Sequence, residues 1–286
     1  MGNVWKCLFY KTKKYSILII LFIGNCFYAS GQFYNGSQLS FGKNRVQHQK
    51  FNWLYYRTDQ YDVYYYPTGK ALAEYTTWKA AQYIEEIETF LNFSSSKKLQ
   101  FIVYNTQSDF RESNFAYDDA EFYNQGGITN VYGTKIYLYF DGNHQHLDQM
   151  IRSGIMNIYA HLIVEGESMG ANISSEHLFS IPDWYYIGLA SYIGDEWNSE
   201  LDAYVKNGIL TGRYPDFDEL SPLDSRYTGH SFWKFIADKY GKNVIPSILY
   251  ATRAYRNFER GFSSVLGVDY KTLQVNWYRH FFVLYK

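Results

Sequence analysis

The stretch LDQMIRSGIMNIYAHLIVEG, Leu147 to Gly166, constrains the fold more than any other. Apolar residues fall on nearly every side of the helix it would form, and a helix apolar all round has to be buried. It carries one histidine, His161, four positions after Asn157 and so on the same helical face. A second apolar piece, WYYIGLASY from Trp184 to Tyr192, follows downstream.

The strand-like runs all precede this helix. YDVYYY, Tyr61 to Tyr66, is rich in strand formers and stops at Pro67. Lys70 to Leu91 has Leu72, Tyr75, Ala80, Tyr83, Ile84, Ile87 and Leu91 at helical spacing, which predicts one long amphipathic helix. LQFIVY (Leu99 to Tyr104), Ile128 to Val131 after a Gly126-Gly127 turn, and KIYLYF (Lys135 to Phe140) predict further strands. From Leu147 onward the chain reads as helices: Asp183 to Gly194, Trp197 to Leu210, Thr228 to Tyr240, Val244 to Tyr255 and Asp269 to Leu284, with loops near Gly166 to Ser180 and Gly212 to Asp224. No repeat, linker or low-complexity tract interrupts it. The expectation is one α+β domain, with a sheet-containing half over residues 32–145 and a helical half over 146–286.

Residues 1–31 have the three-part layout of a secretory signal peptide: Lys6, Lys11, Lys13 and Lys14, an apolar run from Ile17 to Ile23, and Ala29 and Gly31 before Gln32. That run is short for a membrane span. Removing these four lysines from the 27 basic residues, against 28 acidic ones, leaves an excess of about five acids, which argues against a nucleic-acid partner. Both cysteines, Cys7 and Cys26, lie in the leader, so the mature chain has no thiol. Asn25 before Cys26 departs from the small residue that precedes a lipid-bearing cysteine. The chain has 31 tyrosines, which argues either for aromatic binding surfaces or for a compositional habit of the source, and the latter weighs more.

FGKNRVQH (Phe41 to His48), Phe51 to Trp53 with YDVYYYPTGKALAEY, the helix holding Asn157 and His161, Pro182 to Tyr192, and TGHSFWKFIADKYG occur in this order. Together they resemble the peptidase-MA-like (gluzincin) domain of exported Bacteroidetes proteins that often carry TolB-like propeller repeats. The resemblance covers most of the mature chain and implies a zincin-like fold: an N-terminal mixed sheet with a long helix, then a mostly helical half. Intact members read His-Glu-x-x-His on the buried helix and resemble Trp-Phe-x-Glu-Gly-Leu-Ala-Glu-Tyr downstream. Carried over position by position, Asn157 stands at the first His, Ile158 at the catalytic Glu and His161 at the second His, with Tyr159 and Ala160 between. Ile187 stands at the third ligand and Ser191 at the second downstream Glu.

A catalytic zinc needs about three protein ligands and an open position for water, and a base must take that water's proton. One ligand of three survives here. The resemblance therefore implies a vestigial site at Asn157, Ile158, His161 and Ile187, with no catalytic residue and no cofactor. His161 is then expected as a hydrogen-bonded interior histidine, with Tyr186, Tyr192 or Asn157 as partner. Trp184, Tyr185 and Tyr186 are candidates for lining the former cleft, with core packing as the competing reading. The implied function is an exported, non-catalytic pseudopeptidase, periplasmic or outer-membrane-associated, that binds a protein or peptide in the cell envelope and has no span in its mature chain. The alternatives are an active zinc metallopeptidase with an atypical ligand set and an accessory factor of outer-membrane assembly or secretion.

Other constellations are weaker. Glu165 lies one turn after His161, but its expected place is the helix end, facing solvent or an arginine. His144 and His146 are expected in a polar turn, and Glu167, Glu176 and His177 in the next loop. Asp195 with Glu196, and Asp216, Asp218 and Glu219, read as solvated loop acids. Ser168 between Gly166 and Gly170 follows a helix rather than a strand, the reverse of a nucleophile elbow.

Overall fold

The computed structural model describes residues 50–113, 130–166, 181–214, 217 and 220–286. The expected leader, Glu167, Ser168, Glu176, His177, Asp216, Asp218 and Glu219 lie outside the described residues.

Strands β1 (Leu54–Arg57), β2 (Tyr61–Tyr65), β3 (Leu99–Tyr104), β4 (Asn130–Tyr132) and β5 (Lys135–Tyr139) form one mixed sheet in the order β1-β2-β3-β5-β4. β1 and β2 form an antiparallel hairpin, with Leu54 opposite Tyr65 and Arg57 opposite Asp62. β2, β3 and β5 run parallel, and β4 returns antiparallel along β5 through a turn that puts Gly133 at φ 62. A two-residue turn needs such a left-handed residue, which glycine adopts without a Cβ clash. The central β3 is buried at Leu99 and from Phe101 to Tyr104, as an almost continuous apolar run between two parallel neighbours should be.

The parallel β2–β3 connection is helix α1 (Lys70–Leu91), entered through a short 3₁₀ turn at Pro67–Gly69. Its buried residues, Ala73, Thr76, Ala80, Tyr83, Ile84, Ile87 and Leu91, follow the helical period, and it stops at Asn92 in the left-handed region. A short α2 (Gln107–Arg111) seats Phe110 against Tyr104 and Tyr139. The apolar helix is α3 (His144–Glu165), with 13 of its 22 residues buried. Gly154 lets it lie close on the sheet: a Cβ there would sit 2.5 Å from the Cγ2 of Ile136 on β5. α3 begins three residues earlier than its apolar pattern suggested, because the Asn143 side chain accepts the Gln145 N–H at 2.9 Å and caps it. His144 and His146 thus occupy its first turn, not a preceding loop.

Six further helices follow among the described residues: α4 (Asp183–Gly194), α5 (Ser199–Thr211), α6 (Pro222–Tyr240), α7 (Val244–Tyr255), α8 (Phe258–Leu266) and α9 (Tyr270–Tyr285). The α+β class and the division into a sheet-bearing first part and a helical second part are as expected from the sequence. α6 starts six residues before the expected Thr228, since Ser221 accepts the Asp224 N–H and Pro222 suits the first helical position. The centre of this half is aromatic. Trp184 touches Phe217, Phe232, Phe258, Phe262 and Tyr270, while Trp233 and Trp277 are buried beside it, against Phe262 and Phe232. No helix among the described residues is long and apolar enough to cross a membrane.

Tyrosine has a second use. Among the described residues these phenols donate to carboxylates elsewhere in the fold: Tyr56 to Glu74, Tyr66 to Asp109, Tyr75 to Asp148, Tyr159 to Glu88, Tyr186 to Glu165, Tyr204 to Asp224, Tyr227 to Glu200 and Tyr285 to Asp202. Hydrogen bonds to charged groups contribute about 2 kcal/mol each when sheltered from water. Part of the tyrosine richness is therefore structural.

Candidate functional site

α3 and α4 pack side by side and run antiparallel: Tyr186 meets His161 near the start of α4, and Gly194 meets Ser153 at its end, where an added Cβ would lie 2.8 Å from the Ser153 Cβ. This pairing creates the candidate site. The His161 imidazole stacks on the Tyr186 ring, centroids 3.7 Å apart and planes inclined by 23°. Its Nδ1 lies 3.1 Å from Glu165 Oε1, and the Tyr186 hydroxyl donates to the same oxygen at 3.0 Å.

Glu165 differs from its expected place. It does not face solvent; its side chain is 4% exposed and turns inward, because one helical turn brings it beneath His161 and Tyr186 supplies a donor. A buried carboxylate at a helix C-terminus opposes the helix dipole and loses hydration, so these two donors offset both costs. The cluster pushes the Tyr186 phenol far above its ordinary range, first through burial and then through the Glu165 charge. His161 is thus an interior hydrogen-bonded histidine, with Glu165 as partner and Tyr186 as stacking surface; Asn157 makes no hydrogen bond to it among the described residues.

The other motif positions do not converge as ligands. Ile158 is fully buried and can neither coordinate metal nor accept a proton, while Asn157 and Ile187 are half-buried. Zinc chemistry asks for three nitrogen, sulfur or carboxylate donors around one point. The present set is one imidazole and one carboxylate, already bonded to each other, beside apolar side chains. Among the described residues no three His, Cys, Asp or Glu side chains gather to hold a metal ion. Among the described residues the set falls one donor short of such a site.

Trp184 and Tyr185 do not line an opening; they are core residues, 1% and 0% exposed. Trp184 sits within the aromatic cluster already described. The Tyr185 hydroxyl lies 2.9 Å from Thr252 Oγ1, and its carbonyl accepts the Trp233 indole N–H at 3.0 Å. Tyr186 is 3% exposed and is committed to His161 and Glu165. The reason is the third partner helix: α6 crosses α4 so closely that Gly188 and Gly229 meet backbone to backbone.

Sequence reasoning missed a second polar pair on that crossing. Ser191 Oγ lies 3.0 Å from His230 Nδ1, both buried, with the rings of Tyr192 and Trp197 around the imidazole. The available signal was His230 midway between Arg226 and Lys234, four residues from each on one face of the helix. Burial first, then the charges of Arg226 and Lys234, push the His230 pKa down to about 3. Nearby, Asp195 is no solvated loop acid: it accepts from Gln149 at 2.7 Å and pairs with buried Arg226 at 4.0 Å. Burial raises its carboxyl against the pull of Arg226.

This neutral histidine sets an acid limit on stability. The unfolded chain takes up its proton below about pH 6.5, whereas the folded chain does so only near pH 3. The contribution is complete above pH 6.5 and declines as pH falls toward 3, by about 2 kcal/mol at pH 5. Urea unfolding at pH 7.5 and 5 should show that loss, and His230→Gln should lack most of it. An unchanged pH difference in the variant would remove His230 from the explanation.

No protein-family model matches this chain, and no curated protein matches it.

Proposed function

We propose that this chain is a zincin-like (gluzincin-type) pseudopeptidase, exported to the cell envelope, that binds a protein or peptide there without cleaving it. The observation that carries the reading is the engagement of His161 by Glu165 and Tyr186 at the place where the resemblance expects a metal centre, with Ile158 buried at the position of the general base. Support for the scaffold comes from the mixed sheet with its long crossover helix, followed by a helical half in which α3 and α4 pack antiparallel. The reading of residues 1–31 as a signal peptide supports export.

The competing reading, a zinc peptidase with an atypical ligand set, predicts different chemistry. After incubation with excess zinc and gel filtration, elemental analysis should find well under one zinc per chain. Casein and a mixed peptide library should remain uncut with or without chelator. Stoichiometric zinc together with chelator-sensitive cleavage would overturn the pseudopeptidase assignment.

A further inference from the structure

α9 presents two chemically distinct faces. Tyr270, Leu273, Trp277 and Phe281 turn inward and are buried, while Tyr278 and Tyr285 bond to the Ile209 carbonyl and to Asp202 on α5. The outward ridge is Lys271, Val275, Arg279 and Val283, each four residues from the last, with Leu284 and Lys286 at its end. Val275, Val283 and Leu284 are 56%, 72% and 63% exposed. No acidic residue occurs between Tyr270 and Lys286, and Lys271, Arg279 and Lys286 pair with no carboxylate among the described residues. This is a fixed helix whose solvent face alternates cations with apolar side chains, in a chain whose overall charge is slightly negative.

We propose that this face of α9 docks an acidic amphipathic segment of a partner protein, whose carboxylates meet Arg279 and the flanking lysines and whose apolar residues cover Val275 and Val283. The inference is independent of the vestigial site between α3 and α4. Charge complementarity selects the acid, since three cations with no carboxylate partner among the described residues, Lys286 resting over the Phe282 ring, favour an anionic ligand. Side-chain length selects a protein over a lipid surface. Interfacial helices insert several Trp, Phe and Leu side chains into the headgroup region, whereas here Trp277 and Phe281 turn inward and the outward ridge carries two short valines suited to close packing, with Leu284 alone at its end. A second α9 is disfavoured, because antiparallel self-pairing centred on Arg279 would place two guanidinium groups together.

The test uses the full chain and a fluorescent 18-residue helical peptide with leucine along one face and glutamate beside it, compared with its lysine counterpart. Anisotropy should show binding of the glutamate peptide alone, weakened at least tenfold by Arg279→Glu and, separately, by Val283→Asp. Arg279→Lys should retain most of it. Both main variants alter exposed positions, and unchanged melting curves would verify their folding. No binding of the glutamate peptide, equal binding by the wild type and both variants, or binding only to phosphatidylglycerol vesicles would overturn the proposal.

Discussion

Gly229→Ala is expected to cost about 3 kcal/mol of stability, the upper part of the range for inserting a methyl group into a packed interior. An added Cβ would lie 2.5 Å from the Trp184 carbonyl oxygen and 2.7 Å from the Gly188 Cα. These are backbone atoms of α4, so no side-chain rotation relieves the clash and the two helices have to separate. Gly188→Ala makes the reciprocal contact, 2.4 Å from the Gly229 Cα, and should cost a similar amount. Once either methyl has forced the helices apart the other adds less, so the double variant should be well short of additive. Urea denaturation of the two single variants and the double measures this. A loss below 1 kcal/mol in both singles would mean that the helices do not cross as closely as described.

The second large effect is expected from Trp184→Ala, at about 4 kcal/mol, the usual cost of deleting a fully packed large aromatic. Its indole contacts Phe217 and Phe232 in the helical half and bridges to Phe258, Phe262 and Tyr270 near the end of the chain. The cavity would therefore open among several helices that cannot all collapse into it. Trp184→Phe should lose roughly half as much, since a smaller ring keeps part of the contact area. The same measurement separates a cleft role from a core role: a tryptophan lining an open cleft could be truncated with little loss in melting temperature. Near-wild-type stability of the alanine variant would restore it to a binding surface.

The legible parts of the fold share a strong local period. α1 declares itself by its apolar spacing, β3 by an almost continuous apolar run, and α3 by apolar residues on nearly every side. What escaped depends on short-range chemistry or on distant partners. The start of α6 lies in a stretch rich in Asp, Pro and Gly that reads as loop, although Ser221 and Pro222 form a good helix opening. The first turn of α3 contains no core residue before Leu147, so only the Asn143 cap marks where it begins.

The candidate site shows the same division. His161 as a lone interior histidine was readable from its apolar helix, whereas Glu165 was not. A charged residue in a last helical turn ordinarily faces water, and the Tyr186 hydroxyl that helps make burial tolerable arrives 21 residues later. The Ser191–His230 pair joins residues 39 apart, and the Gly188–Gly229 contact joins helices that no local pattern relates. The aromatic triplet at Trp184 suggested a cleft because aromatics serve cores and binding surfaces equally well; the glycine crossing decided for the core.

The tyrosine–carboxylate bonds also bear on the order in which a chain made from its N-terminus can close. Tyr75 leaves the ribosome 73 residues before Asp148, and Asp202 leaves it 83 residues before Tyr285. Until its partner emerges, each carboxylate stays hydrated and each phenol remains a half-polar side chain at a water boundary, so neither commits its helix early. α5 in particular cannot gain the bond from Tyr285 until α9 has been synthesised to its last residue. Each of these two helix pairs, α1 with α3 and α5 with α9, therefore lacks its tyrosine–carboxylate tie until the later helix has emerged.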